Sequence, residues 1–230
     1  MRIGRRVHER TCFLSRRLLA IILVGIVVTP AFGAEGPLAV ETAEVDPPPE
    51  LSRKVRDSLQ PEALRVLQGG QPFADFWLRA DVPEASSPST ELGVSFGQLK
   101  VGTLVGAVRF PAKWSDYKEL PIPPGVYTLR YAVQPQDGAH MGVSIYRDFL
   151  LMIPAKMDED PDTEYRPDEL VQASAEAAVG RHPATLSLFP IYDEVSGPTL
   201  VKNDMDQWTL VAQSGSLTLG MVMLGHGEIE

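Results

Sequence analysis

The clearest alternation of apolar and polar positions lies in the run GVYTLRYAV, residues 125–133. Because side chains of a strand point to opposite faces in turn, this run predicts a β-strand. One predicted face carries Tyr127, Leu129, Tyr131 and Val133, and the other carries Thr128, Arg130 and Ala132. The run 148–153 is apolar throughout, which predicts a central strand covered on both faces. We expect its Phe149 and Leu151 to pack in the same interior as the tyrosines.

Further strands are predicted around glycine-containing turns. Runs 63–68 and 72–80 flank Gly69-Gly70, a pattern typical of a β-hairpin. The other predicted strands are 97–110, 186–189, 207–213 and 216–224, the last two joined by a tight turn at Ser214-Gly215.

Two segments predict helices. Leu51, Val55 and Leu59 recur every four residues, and a second helix begins at Pro167 and ends near Gly180. Many short strands with little helix favour an all-β protein. We therefore predict one domain, residues 50–230, folded as an antiparallel β-sandwich of roughly eight strands with one or two peripheral helices.

The strings GVYTLRYAVQPQDGAHMG (125–142) and YRDFLLMIPA (146–155) resemble a group of uncharacterised exported bacterial proteins. The string FADFWLR (73–79) is similar to the same group. The resemblance covers most of the chain after residue 33. It implies an exported, β-rich, single-domain protein, and it implies no activity or site residues.

The first 33 residues have the three parts of a secretory signal peptide. Six arginines precede the apolar run 18–28. Pro30 and small residues up to Gly33 follow this run. Eleven residues rise about 16 Å as a helix, too little for a hydrocarbon core of about 30 Å. We predict cleavage after Gly33, with an uncleaved membrane anchor as the alternative. Residues 34–49 are acidic and proline-rich, and we interpret them as an extended tether.

Removal of the signal peptide makes the protein more acidic. Six of the 21 basic residues but only one of the 30 acidic residues precede Ala34, so the formal charge changes from −9 to −14. Such a charge argues against nucleic acids and anionic membranes as partners. The single cysteine, Cys12, lies in the signal peptide, which excludes disulfides and thiolate chemistry in the mature chain.

The loop 134–142 between the two clearest strands is a candidate metal site. It contains Asp137, His140 and Met141, and His with Met suits copper, whereas His with Asp suits zinc. The alternative is an ordinary hairpin loop in which aspartate and glycine serve the turn.

The acidic run 158–169 is a candidate calcium loop that leads into the second predicted helix. Asp158, Asp160, Asp162 and Glu169 occupy positions 1, 3, 5 and 12 of such a loop. Thr163 stands where the motif requires glycine. The alternative is a solvated loop whose last carboxylates favour a helix N-terminus.

Three aromatic residues are candidates for a binding platform. Trp77 falls on the strand face opposite to Ala74, Phe76 and Leu78, where its ring would be free to stack on a sugar or a partner protein. Trp114 and Tyr117 would extend this platform. The alternative is that a helix or a second sheet covers Trp77.

Catalytic motifs of the common hydrolases, nucleotide-binding enzymes and zinc proteases do not occur in the sequence. We therefore expect a non-catalytic binding or accessory module of the cell envelope, periplasmic or secreted. Its expected partner is an envelope protein or a carbohydrate, with no stable membrane insertion after cleavage. A periplasmic metal-binding protein using Asp137, His140 and Met141 is the first alternative. An unrecognised hydrolase is the second.

Overall fold

The computed structural model describes residues 1, 36–116, 119–135, 146–180, 182–192, 195–202 and 206–224. Residues 34–230 form one compact unit, and every element below belongs to it. Among the described residues, no helix has the length and apolar character needed to cross a membrane.

The described part of this unit consists mainly of strands. Its helices are α1 (Arg53–Ser58) and α2 (Pro167–Ala175), and a single 3-10 turn covers Ala155–Met157. Its strands are β1 (Leu38–Ala43), β2 (Ala63–Gln68), β3 (Gln71–Leu78), β4 (Leu104–Phe110), β5 (Trp114–Ser115), β6 (Pro121–Ile122), β7 (Gly125–Val133), β8 (Asp148–Pro154), β9 (Thr185–Phe189), β10 (Thr199–Lys202), β11 (Trp208–Ser214) and β12 (Leu217–Leu224).

Ten strands form one antiparallel sheet in the order β1-β2-β3-β4-β7-β8-β9-β12-β11-β10, and β5 and β6 pair separately. The sheet turns at β9, where Thr185–Ser187 pair with β8 whereas Leu188 and Phe189 pair with β12. The end strands β1 and β10 contact each other, although no hydrogen-bonded register joins them. The sheet is therefore nearly closed and barrel-like.

The inward face of this sheet encloses the main apolar core. Residues of β2, β3, β4, β7, β8, β9, β11 and β12 contribute to it, including Phe76, Leu129, Leu150 and Met221. Two smaller clusters lie on the outward face. One packs the helix α1 over β3 and β4, and the other packs α2 over β7 and β8.

The predicted class is confirmed: the described residues form mostly antiparallel β-structure with two short helices. The strands follow one nearly closed hydrogen-bonded order, which differs from the two separate sheets of the predicted sandwich. The hairpin at Gly69-Gly70 is also confirmed, and both glycines have positive φ angles of 57° and 77°. Such angles suit the tight turns that join twisted strands.

The residues predicted to share one core lie on opposite faces of β7 and β8. Tyr127, Leu129 and Tyr131 lie in the main core, as predicted. The prediction for Phe149 and Leu151 was wrong, because Leu150 and Met152 point inward instead, and Leu151 lies opposite Arg130 on the outward face. An all-apolar strand has no alternation from which its inward face could be read.

The interpretation of residues 34–49 as a tether is corrected by strand β1. Leu38–Ala43 pairs along its whole length with β2, and the half-buried Leu38 and Val40 pack against the main core. Pro48, in the proline-rich end of this segment, is buried. Composition indicated an extended chain correctly, but an extended chain can also complete the edge of a sheet.

Candidate functional site

The acidic segment, residues 158–169, is matched to cations from elements that are distant in sequence. Lys54 of α1 pairs with Asp160, Arg79 beyond β3 pairs with Asp162, and Lys100 pairs with Glu164. Arg130 of β7 pairs with Asp158, and Arg166 pairs with Asp168 and Glu169 within the segment itself. The run of like charges in the sequence is therefore a set of ion pairs in the fold.

The ion pair of Arg130 and Asp158 is the centre of this arrangement. Both side chains are 0% exposed. The Nε and Nη2 atoms of Arg130 each lie 2.7 Å from a different carboxylate oxygen of Asp158, which is the bidentate geometry of strong arginine–carboxylate pairs. Thr128 Oγ1 donates a further hydrogen bond to Asp158 at 2.6 Å. Three donor groups of one strand, β7, therefore bind this carboxylate.

The remaining donors of Arg130 hold backbone carbonyl groups. Its Nη1 atom lies 2.7 Å from the oxygen of Gly102 and 3.3 Å from that of Thr163, and its Nη2 atom lies 2.7 Å from the oxygen of Asp160. All five N–H groups of the guanidinium can thus be satisfied without water. One side chain fixes the loop before β4 and the acidic segment to the outward face of β7.

Tyr165, which is half-buried, contacts both members of the ion pair. Its ring lies 4.9 Å from the guanidinium carbon of Arg130, and its hydroxyl donates to Asp158 at 3.3 Å. Burial, and then the adjacent negative charge of Asp158, raise the pKa of Tyr165 to about 12. The phenol therefore remains a neutral donor throughout the ordinary pH range.

The outer ion pairs of the segment are exposed. The hydrogen bond from Lys54, at 2.6 Å, lowers the pKa of Asp160, and the hydrogen bond from Lys100 lowers the pKa of Glu164. Exposed pairs of this kind each add little stability because water and salt screen them. Together they set the path of the segment across the sheet.

The carboxylates of the predicted calcium loop have partners within the protein. Asp158 binds Arg130 below the surface, while Asp160 and Asp162 pair with different cations. Glu169 accepts a hydrogen bond from the backbone N–H of Arg166 at the start of α2, as the alternative interpretation expected. Within the described residues, no group of three or more His, Asp or Glu side chains is arranged to hold a metal ion.

Asp137, His140 and Met141, the predicted ligands for copper or zinc, lie outside the described residues. Tyr117 of the predicted aromatic platform also lies outside them. Both hypotheses stay predictions at these positions.

The two tryptophans of the predicted platform are buried. Trp77 is 0% exposed beneath α1, and its indole N–H donates to the carbonyl oxygen of Val45 at 2.8 Å. Trp114 is 6% exposed, stacks on Phe110 at 4.8 Å and belongs to the main core. Neither ring offers a free face to a ligand. Trp77 does lie on the predicted strand face, but the short helix covers that face.

A second charged cluster crosses the outward face of three adjacent strands. Asp75 of β3 lies opposite Arg65 of β2 and Arg109 of β4 in the sheet register, and it forms ion pairs with both. Burial would raise the pKa of Asp75, but the hydrogen bonds from the two arginines outweigh burial and lower it. Arg109 also lies 5.6 Å from the ring of Trp77. The cluster braces the sheet beside α1.

A third buried carboxylate connects a loop to the inward face of the sheet. Asp148 accepts hydrogen bonds from the hydroxyl of Tyr131 at 2.6 Å and from the backbone N–H groups of Ser95 and Phe96 at 2.8 and 3.2 Å. Burial, and then the bond to Asp148, raise the pKa of Tyr131 above its usual range. The tyrosine is thus held as a neutral donor.

Arg130, Asp75 and Asp148 are buried charges that no pattern in the sequence predicted. Their signal was weak: Arg130 and Asp75 are charged residues on strand faces that alternation alone assigns to solvent. The paired register of β2, β3 and β4 was needed to place Asp75 between two arginines.

The structure thus defines a mostly antiparallel β protein with a nearly closed ten-stranded sheet and charged braces on its outward face. Comparisons of the chain with protein-family models, with curated proteins and with solved structures give no match.

Proposed function

We propose that the protein is an exported, non-catalytic binding or accessory module of the cell envelope. The signal peptide predicted for residues 1–33 supports export, and the acidic mature chain suits a soluble role outside the cytoplasm. A protein or carbohydrate of the envelope is the partner we propose.

The proposal of a non-catalytic role rests on the way in which the buried charges are paired. Asp75, Arg130, Asp148 and Asp158 are each saturated by side-chain or backbone partners of the protein itself. A general acid or base has to exchange its proton with a substrate, so it needs a free, accessible position. Buried charges that are paired with one another or with backbone groups connect parts of the fold. Such a scaffold suits a module that presents its surface to a partner.

The export part is tested by expressing the tagged full-length chain in a Gram-negative host. We expect a soluble periplasmic protein whose N-terminus, determined by mass spectrometry, is Ala34. A matched chain that lacks residues 18–28 should stay in the cell with its leader intact. Full-length protein in the membrane pellet would contradict a soluble exported module.

The binding part is tested by sedimenting the purified mature protein with washed envelope and, separately, with purified peptidoglycan. Saturable co-sedimentation that excess unlabelled protein displaces would support a binding module. Turnover of peptidoglycan or of ester and peptide substrates, measured on the same preparation, would contradict the non-catalytic assignment.

A further inference from the structure

The first nine residues of the acidic segment, 158–166, cross the outward face of the sheet as a strap. In the described chain, the backbone-to-backbone hydrogen bonds of residues 158–165 are local, from Asp158 N to the oxygen of Ala155 and from Thr163 N to the oxygen of Asp160. The contacts that reach the sheet and α1 come from side chains of the elements below. The strap is therefore attached in a different way from a strand of the sheet.

The strap buries little apolar surface. Between residues 156 and 169, Asp158 and Pro161 are the buried positions, and Tyr165 is half-buried. Segments with few buried apolar contacts open locally at a lower free energy than the strands beneath them. The hydrophobic effect that holds β7 and β8 together contributes little to holding this strap.

Charge pairs link the strap to four other parts of the chain. The cations that face it are Lys54 from α1, Arg79 beyond β3, Lys100 before β4 and Arg130 from β7. The titratable and charged groups of the strap itself are Asp158, Glu159, Asp160, Asp162, Glu164, Tyr165 and Arg166. Four of the five carboxylates of the strap are thus paired with a cation that lies outside it.

We propose that the ion pairs hold the strap against the sheet as a latch. When acid protonates its carboxylates, the strap detaches while the sheet beneath it stays folded. Opening leaves Lys54, Arg79, Lys100 and Arg130 without their carboxylate partners on one face of an otherwise acidic protein. The open state therefore exposes Arg79 and Arg130, which are 11% and 0% exposed in the closed state, beside Lys54 and Lys100, which are exposed already. This inference does not depend on the binding role proposed above.

The direction of the pH effect follows from the outer pairs. Hydrogen bonds from Lys54 and Lys100 lower the pKa of Asp160 and of Glu164, respectively. A carboxylate with a lowered folded-state pKa stabilises the closed state above its unfolded-state pKa, and that stabilisation is lost as the pH falls through the folded-state pKa. The bonds from Arg130 to the strap carbonyls do not titrate, so the latch opens only if the ion pairs outweigh them.

Hydrogen exchange with mass spectrometry on the purified mature protein tests the latch. We expect the protection factors of peptides covering 156–165, corrected for intrinsic rates, to fall about tenfold or more between pH 7 and about pH 3, below the ordinary pKa of aspartate. Peptides from β7 and β8 should keep their protection over the same interval. Loss of protection in strap and strands together, or unchanged strap protection, would overturn the proposal.

Variants at neutral pH separate the latch from general acid denaturation. Asp158→Asn keeps the shape of the side chain but removes its charge, and Glu164→Gln does the same at an exposed pair. We expect both to lower strap protection at pH 7, Asp158→Asn by more, with β8 unchanged. Asp57→Asn, which removes the exposed pair with Arg53 on α1, is the matched control and should leave the strap unaffected. If Asp158→Asn leaves strap protection at the control level, charge does not close the strap and the proposal is wrong.

Discussion

Replacing Arg130 by methionine tests whether the buried ion pair is the main brace of the outward face. Methionine fills part of the volume of the arginine but removes the cation and its N–H donors. Asp158 would then lie at 0% exposure with hydrogen bonds from Thr128 and Tyr165 alone. A buried carboxylate without its cation is costly, because the protein interior solvates charge far less well than water.

The expected magnitude follows from the geometry of the pair. Removing one partner of a fully buried, bidentate ion pair costs about 3–5 kcal/mol of unfolding free energy. For a chain of this size, such a loss lowers the melting temperature by about 6–20 °C. Gly102 and Asp160 also lose the arginine donors to their carbonyl oxygens, but the exposed edge of the segment allows water to replace some of these bonds.

Circular dichroism during urea and thermal unfolding provides the measurement. The double variant Arg130→Met with Asp158→Leu removes both charges, so we expect it to regain most of the lost stability. Arg53→Met is the matched control, since Arg53 forms a fully exposed pair with Asp57 and should show no measurable change. A loss below about 1 kcal/mol for Arg130→Met would refute the reasoning, because it would mean that Asp158 is hydrated or neutral in the folded protein.

Four further outcomes are expected. Leu151→Ala should lower the unfolding free energy by about 2–5 kcal/mol in urea melts, since Leu151 is buried beneath α2 and its loss leaves a cavity. Ultraviolet titration should show Tyr165 ionising near the pKa of about 12 that burial and Asp158 impose, and this step should disappear in Tyr165→Phe. Millimolar calcium should shift the melting temperature no more than magnesium does, with or without Glu169→Gln, because Glu169 caps a helix; a calcium-specific rise would contradict this. Gly106→Ala should destabilise the protein in the same melts, since its Cβ would lie 2.6 Å from the carbonyl oxygen of Trp77.

Local patterns in the sequence predicted strands in which apolar and polar positions alternate. Strand β7 begins and ends at the predicted residues, and its tyrosines point inward as the alternation required. The hairpin at Gly69-Gly70 and the start of α2 at Pro167 were also predicted, since turn and cap residues act within a few positions. Strand β10 and the two-residue strands β5 and β6 were missed, because their runs are too short to show a period.

The candidate site was less predictable than the fold. The sequence showed the acidic run 158–169 but not the cations with which its carboxylates pair. Their cations come from α1, from the chain after β3 and before β4, and from β7, between about 30 and about 110 residues earlier. Such pairing depends on chain crossings that no local window contains.

The sequence by itself determined the strand-rich class, the faces of alternating strands and the positions of tight turns. These follow from side-chain geometry and backbone sterics, which act between near neighbours. Only the tertiary structure decided which outward faces are covered. Trp77 and Arg130 both point away from the main core, yet α1 buries the first and the acidic segment buries the second. Burial depends on which distant segments cover a face, and a charge becomes a brace only where the fold brings its counter-charge within hydrogen-bonding distance.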